Sequence, residues 1–354
     1  MKSTEIAKLA GVSRSTVSRV INGYSNVPPE TRRRVMDVVE KYGYSPNNAA
    51  RNLAGKPSRI VGLFIVDLDE TSENIIHASP FYSAFLTYAA DRLQQKGYQL
   101  LVSVIKNRMQ MKNILNMFQE NMVSGGIFMG DLVPSSILKA LSDAHCTSIL
   151  INQRESVNYP GILTANTENY WGAYEAVNTL IENGHKRIAH IAGSIDKSST
   201  RERFEGYRDC LLKNGIPFEE NLVVKMNIHR EENGYWAAKQ IFANNQGRLP
   251  TAIFSSNDLL ALGAMRALGD MGFRIPQDVS IIGFDNTEIS RFTTPPLSTV
   301  AASVEKLSNL AIDNLVALVE GKECLRQNLK LEEFEVIVRE SILNINAPET
   351  PTDT

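Results

Sequence analysis

Along the first 45 residues apolar positions return every three to four places, whereas from Ile60 onward they gather into short continuous runs separated by longer helical stretches. The opening pattern resolves into three small helices. Ser3 or Thr4 can cap a first helix that carries Ile6, Leu9 and Ala10 on one face, and Gly11 stops it. Ser13 can cap a second, with Val17, Val20 and Ile21 at helical spacing before Asn22-Gly23 breaks it. Pro28-Pro29-Glu30 opens a third, where Val35, Val38, Val39 and Tyr42 follow the i, i+3, i+4, i+7 rule. Three short helices with a tight turn between the first two describe a helix-turn-helix.

The remainder reads as strand and helix in alternation. Ile60 to Val66, Gln99 to Ile105, Gly126 to Met129 and Ser148 to Ile151 are predicted as buried strands, with Phe81 to Lys96 as a helix between the first two. A second series has strands at Arg187 to Ala192, Leu222 to Met226, Ala252 to Ser255 and Val279 to Phe284. Its helices are Gly172 to Asn183, Arg203 to Lys213, Gly234 to Ala243 and Leu259 to Met271. Repeated strand-helix units imply two doubly wound parallel sheets, whose ligands gather at the carboxyl ends of the strands, in the cleft between lobes.

Charge changes the picture more than composition does. The net charge is −2, but residues 1 to 59 hold eleven Lys or Arg against four acids, so a segment of +7 is attached to a body of −9. That asymmetry points to a polyanion partner at one end. In a helix-turn-helix the early residues of the second helix face DNA base edges, here Arg14, Ser15, Thr16, Ser18 and Arg19, flanked by Ser13 and Asn22. Base reading should rest on Arg14, Ser15 and Arg19, because Arg bridges guanine O6 and N7 while short hydroxyls suit phosphates. On these residues alone, a plain solvated helix face remains an equal reading.

Several function classes lose support. Met1 to Ala10 mixes Lys2, Glu5 and Lys8 with short apolar pieces, unlike an export signal, and no stretch approaches the roughly 18 apolar residues of a membrane helix, so a cytoplasmic protein is expected. Cys146, Cys210 and Cys324 are too scattered for a zinc site or a disulfide framework. A Walker loop, a G-x-S-x-G elbow, an H-E-x-x-H pair and a dinucleotide fingerprint after the first strand are all missing, so neither enzyme chemistry nor a cofactor or metal is expected.

The stretch "AKLAGVSRSTVSRVINGYSNVPPETRRRV" through "GYSPNNAARNLAGK" resembles the headpiece and hinge of the lactose/galactose repressor (LacI/GalR) family almost position by position. Further motifs extend the likeness over nearly the whole chain: "SPFY" at Ser79 to Tyr82, "ENGHKRIAHIAG" at Glu182 to Gly193, "RFEGY" at Arg203 to Tyr207, "SNDLLALGAMRAL" at Ser256 to Leu268, then "SIIGFDNTE" and "PPLSTV". The resemblance implies an all-α helix-turn-helix headpiece plus an α/β two-lobed, periplasmic-binding-protein-like sensor. Domains are expected at 1–45 (headpiece), 46–58 (hinge helix and linker), 59–344 (effector binding and dimerisation) and 345–354 (tail). Within the sensor, lobe 1 is expected at about 59–160 and 292–325, and lobe 2 at about 161–291 and 326–344.

The resemblance also implies site residues. In the hinge, Asn47, Ala50 and Arg51 would meet DNA, and Leu53 would wedge into the minor groove and kink the duplex. In the cleft, Arg203, Asn257 and Asp285 sit at polar ligand positions, Phe81 and Tyr82 match an aromatic pair, and His229 falls where a ring-stacking residue is usual. Ser199 and Asn152 complete the set; His185 and His190 belong to a structural segment. Duller readings compete: Asp285 capping a turn, Asn257-Asp258 capping a helix, His229 lying exposed in a loop.

This chain departs from the family at Lys2 and Pro28 in the helix caps, at Asn152-Gln153 for the usual Asp-Arg, at Glu168-Asn169 for Asp-Asn, and in a longer "LDETSENIIHA" loop after Asp67. The expected function is a DNA-binding repressor switched by a small molecule, most simply a sugar. Alternatives are a purine or partner-protein effector and, more remotely, a sugar-active enzyme or a solute-binding protein that does not bind DNA. Partners are a near-palindromic double-stranded operator, the effector and a second copy of the chain, with no membrane. Apolar positions Leu307, Leu310, Ile312, Leu315 and Leu318 would serve a dimer face or the core, and the tail lacks the heptads of a tetramer.

Overall fold

A computed structural model describes residues 3–21, 24–43, 58–68, 80–154, 156–226, 230–322 and 326–346. The chain divides into two compact units, Met1–Ser58 and Arg59–Thr354. In the first, α1 (Ser3–Ala10), α2 (Arg14–Ile21) and α3 (Pro29–Lys41) close around Ile6, Ala7, Ala10, Val17, Val20, Val27 and Val35. The expected inward face of α1 shifts: Leu9 is 50% exposed and Ala7 takes its place. Ile6, Ala7 and Ala10 share one arc of the helix, and Leu9 lies off it. Tyr42, expected on the apolar face of α3, is likewise exposed.

The second unit holds two sheets. Strands β1 (Ile60–Val66), β2 (Gln99–Ile105), β3 (Gly125–Gly130), β4 (Ser148–Ile151), β5 (Ile162–Thr167) and β11 (Asn328–Leu331) form a parallel sheet in the order β11-β5-β4-β3-β1-β2. Its helices are α4 (Pro80–Gln95), α5 (Arg108–Gln119), α6 (Ser135–Asp143) and α11 (Val304–Val319). The second sheet, β7-β6-β8-β9, is built from β6 (Ile188–Ala192), β7 (Val223–Lys225), β8 (Ala252–Ser255) and β9 (Ser280–Ile282). Around it lie α7 (Asn169–Glu182), α8 (Ser198–Lys213), α9 (Glu231–Asn244) and α10 (Asp258–Asp270). A ribbon of β10 (Thr299–Ala301) and β12 (Glu335–Ile337) joins its edge through the Ile282–Ser298 bridge.

The lobe boundaries therefore differ from expectation. Residues 162–167 and 328–331 pair in the first-lobe sheet, and 299–301 lie beside the second. β5 escapes the apolar-run criterion because Thr164, Asn166 and Thr167 are buried in it as hydrogen-bonded polar residues. The apolar residues of α11 are also reassigned. Leu307, Ile312 and Leu315 are fully buried in the first-lobe core, with Leu310 and Leu318 packed at its edge, so they are not a free dimer face.

Burial leaves its mark on the titrating groups of both cores. The thiols of Cys146 and Cys210 are pushed up to about 11 and about 12 by burial, so neither is a reactive thiolate; Cys324 lies outside the described residues. His190 on β6 packs against Phe254 and Tyr207, with ring centroids 4.8 Å from each. Its Nδ1 meets Phe254 O at 3.0 Å, and burial drives its pKa down to about 4. A histidine depressed in the fold is protonated more readily in the unfolded chain. Its contribution is full above about pH 6.5, falls as pH drops, and levels off below about 4. The difference corresponds to about 3 kcal/mol. Asp258, raised to about 7, runs in the opposite sense across the same window, so the test is a comparison. Between pH 7.5 and 5, urea unfolding should show the native chain losing about 2 kcal/mol relative to His190→Phe. Equal losses would contradict this.

No helix among the described residues is long and apolar enough to cross a membrane.

Candidate functional site

The headpiece presents α2 outward because Val17 and Val20 are drawn into the core. Ser13, Arg14, Ser15, Ser18 and Arg19 are exposed, and Thr16 is half-buried. Ser13 caps the helix, accepting from Thr16 N at 3.1 Å, and its hydroxyl also lies 2.7 Å from Ser15 Oγ and 2.8 Å from Thr16 Oγ1. The Arg14 guanidinium reaches back to Ser3 Oγ at 3.2 Å, which steadies the side chain expected to read bases. Arg32 instead closes the far end of α2, donating to Val20 O and Tyr24 O, and so serves the fold. Asn22 and the hinge residues Asn47, Ala50, Arg51 and Leu53 lie outside the described residues.

In the body, the polar candidates converge at the carboxyl ends of β8 and β9. Arg203, from the first turns of α8, is buried and fixed on three sides: Nε donates to Asn169 Oδ1 at 2.9 Å, Nη1 to Ser256 O, and Nη2 pairs with Asp285 Oδ1 at 3.3 Å. Its guanidinium lies 3.7 Å from the ring centroid of Phe284. Burial lowers the Arg203 pKa, while Asp285 works against that shift. Burial likewise raises Asp285, with Arg203 pulling it back. The result is a carboxylate and a planar five-donor cation at the strand ends, the equipment that hydroxyl groups of a ligand require.

The other candidates divide. Asn257 caps α10, its Oδ1 accepting from Leu260 N at 2.9 Å, so the capping reading holds for that oxygen. Asn152 sits at φ 49°, and its Oδ1 accepts from Thr167 N at 3.0 Å, tying the end of β4 to the first crossover between lobes. Phe81 and Tyr82 are half-buried on α4, centroids 5.8 Å apart. Phe81 and Asp285 line one groove of about 800 Å³ with Thr287, Ala302 and Phe334. Ser199 is half-buried in the first turn of α8. His229 and the longer loop at 69–79 are outside the described residues.

Three charged residues absent from the expected site also belong to this region. Lys197, just before α8, is 19% exposed and pairs across the lobes with Asp131 at 3.5 Å. Burial opposes its charge, but Tyr82, Asp131 and Asp67 together outweigh burial and raise its pKa. Asp131 is anchored by Leu68 N at 2.9 Å, and the buried Asp67 is paired with Lys106. Nothing at Lys197 flags it in the sequence, since its partners come from β1, β3 and α4.

A family model described as "Bacterial regulatory proteins, lacI family" matches residues 4–47, and one described as "Periplasmic binding protein-like domain" matches residues 177–342. The HTH-type transcriptional repressor PurR of Pasteurella multocida is 30% identical over 339 residues, covering 96% of this chain and 97% of the relative. Catabolite control protein A of Priestia megaterium is 32% identical over 310 residues, covering 87% and 89%. Among solved structures, the lac repressor dimer bound to operator and the anti-inducer ONPF superposes with a TM-score of 0.81 at 27% identity, covering 97% of this chain and 99% of that one. A CelR–cellobiose complex gives 0.73 at 28% identity, covering 96% and 99%.

Proposed function

The chain belongs to the lacI family of bacterial regulatory proteins, DNA-binding transcription repressors with a helix-turn-helix headpiece and a periplasmic-binding-protein-like body, and from that premise we propose that a sugar in the cleft sets its grip on a near-palindromic operator. The observation that carries the effector reading is the pair of buried Arg203 with half-buried Asp285, the guanidinium lying on Phe284, with the half-buried aromatic rings of Phe81 and Tyr82 on the other lobe. Polar groups with fixed directions and apolar ring faces suit a polyhydroxylated ring. The complex of CelR with cellobiose supports the same choice. In this reading Arg203, Asp285, Phe81, Tyr82 and Ser199 face the effector, Asn257 and Asn152 hold the site's frame, and His229 takes the ring-stacking position that the resemblance implies.

Thermal-shift screening against sugars, sugar phosphates and purine bases tests the assignment. A ligand at about 100 times its Kd adds roughly 2.7 kcal/mol to the folded state, a shift of several degrees. A hit among sugars that also changes operator affinity supports the reading, and a hit confined to purines replaces it.

On the DNA side, Arg14, Ser15 and Arg19 read bases, Ser13, Thr16, Ser18 and Asn22 hold the backbone, and residues 46–58 form the hinge, with Leu53 as the minor-groove wedge and Asn47, Ala50 and Arg51 beside it. Arg14→Ala should cost about 1 to 3 kcal/mol on the selected operator and relax base choice, while leaving binding to random duplex almost unchanged. Uniform loss on both duplexes in an anisotropy titration would demote Arg14 to a phosphate contact.

A two-fold operator implies a dimer. We assign its face to the second lobe, where Trp236 (62% exposed), Phe292 (76%) and Ile289 line a groove with Tyr235, Leu259 and Leu262. Sedimentation at micromolar concentration should show a dimer, and Phe292→Asp a monomer. A dimer that survives the substitution would move the face elsewhere.

A further inference from the structure

Asp258 is the first residue of α10, yet its carboxylate serves the turn that follows β9. Oδ2 accepts from Thr287 N at 2.7 Å and from Thr287 Oγ1 at 2.9 Å, and Oδ1 accepts from Thr299 Oγ1 at 2.6 Å. The backbone N–H of Asp258 donates to Phe284 O at 2.8 Å. The chain passes directly over the carboxylate at Gly283, where a Cβ would stand 2.3 Å from Oδ1.

Between these anchors lie Asp285 at φ 105° and Asn286 at φ 49°. Left-handed backbone in residues other than glycine costs on the order of 1 to 3 kcal/mol each and persists where the surroundings over-determine it. Besides the Arg203–Asp285 pair and the Ser290 bonds to Thr287 O, the turn is fastened by Asp285 N to Val300 O at 2.8 Å, Asn286 N to Thr299 Oγ1 at 3.2 Å, and Arg339 Nη2 to Asn286 Oδ1 at 2.7 Å. Thr299 Oγ1 is itself held by Asp258. The carboxylate thus fixes the turn directly at Thr287 and indirectly at Asn286.

We propose that Asp258 is a positioning residue for the cleft, holding the 284–287 turn in the conformation that sets Asp285 against Arg203. The inference rests on Asp285 being an effector-facing group. Space filling alone does not account for a carboxylate here. Burial, and then the like charge of Asp285, push its pKa up to about 7, a penalty that a leucine of similar volume would avoid. What a leucine lacks is the set of acceptors.

Hydrogen exchange of the full-length chain, read by mass spectrometry on peptides spanning 284–288, decides the matter without an effector. In Asp258→Leu the amides of Asp285, Asn286 and Thr287 should exchange about tenfold faster, the scale of one lost hydrogen bond. Asp258→Asn supplies an acceptor for Thr287 N and a donor for the Thr299 hydroxyl, so it should restore protection to within about threefold. Thr287→Val, which keeps the carboxylate and removes one bond to it, should fall between the two. The proposal is overturned if the turn exchanges at the native rate in both Asp258→Leu and Thr287→Val, if Asp258→Asn fails to restore protection, or if Asp258→Leu loosens every second-lobe peptide alike. Whether Asp285 serves the effector is a separate question, answered by Asp285→Ala in the ligand screen.

Discussion

Arg203→Ala is expected to lower the melting temperature of the body by roughly 6 to 12 °C and to remove its response to effector. The guanidinium is buried among Asn169, Ser256, Asp285 and Phe284. Its loss leaves Asp285, already raised by burial, without its cation. Removing one partner of a buried pair typically costs about 3 to 5 kcal/mol, against about 1 kcal/mol or less for an exposed pair. Asp285 keeps a fifth of its side chain exposed, which argues for the lower end, near 3 kcal/mol. For a body of this size each kcal/mol moves the midpoint by about 2 to 4 °C. Arg203→Lys keeps the charge but not the fork, and should fall between the two. Arg203→Ala combined with Asp285→Ala should melt above Arg203→Ala alone, because the stranded charge is then gone. A single variant that melts like the native chain would show that the pair holds nothing together.

The second large effect concerns the helix pair beneath the proposed dimer face. A Cβ at Gly263 of α10 would stand 1.7 Å from Glu231 O, and one at Gly234 of α9 would stand 2.0 Å from Leu260 O. Both neighbours are backbone, so relief requires the helices themselves to separate. Gly263→Ala should cost on the order of 3 kcal/mol, the upper end of ordinary overpacking. Gly263→Val should leave the second lobe unable to pack α9 against α10. Urea unfolding followed by circular dichroism measures the first, and the yield of folded protein the second. A loss below about 1 kcal/mol in Gly263→Ala would mean that the helices part easily.

How far the sequence spoke depended on whether the signal was local. Strands β1 and β4 are short, largely apolar runs that the structure buries as expected, whereas β2 lies where its run predicts but at the sheet edge, with Leu101 and Val102 exposed and only Ile105 buried. Strand β5 was silent, because half its positions are polar residues whose partners, Asn152, Arg154 and Asn328, lie elsewhere in the chain. The same holds for α11: period alone shows that Leu307, Ile312 and Leu315 face one way, not whether that way is inward. In the headpiece, Ala7 and Leu9 flank the Ile6–Ala10 arc on opposite sides, and period alone does not say which side the other two helices cover.

The cleft shows the same division. Arg203 and Asp285 were legible because they carry family positions, and the structure joins them. Lys197 and Asp258 were not legible as site residues. Each is defined by partners on other elements: Asp131 for Lys197, and Thr287 and Thr299 for Asp258. Asn257 stands at a family ligand position and shows a capping bond, which any Asn before a helix can make.

Selection from a random duplex library, run in parallel with the full-length chain and with residues 59–354 alone, tests the central claim most directly. The account predicts that the full-length chain enriches one near-palindromic sequence. Its affinity should exceed that for random duplex by about 10³-fold or more and fall log-linearly with salt. The body alone should enrich nothing. Equal enrichment by both, or none by the full-length chain at low ionic strength, would contradict it.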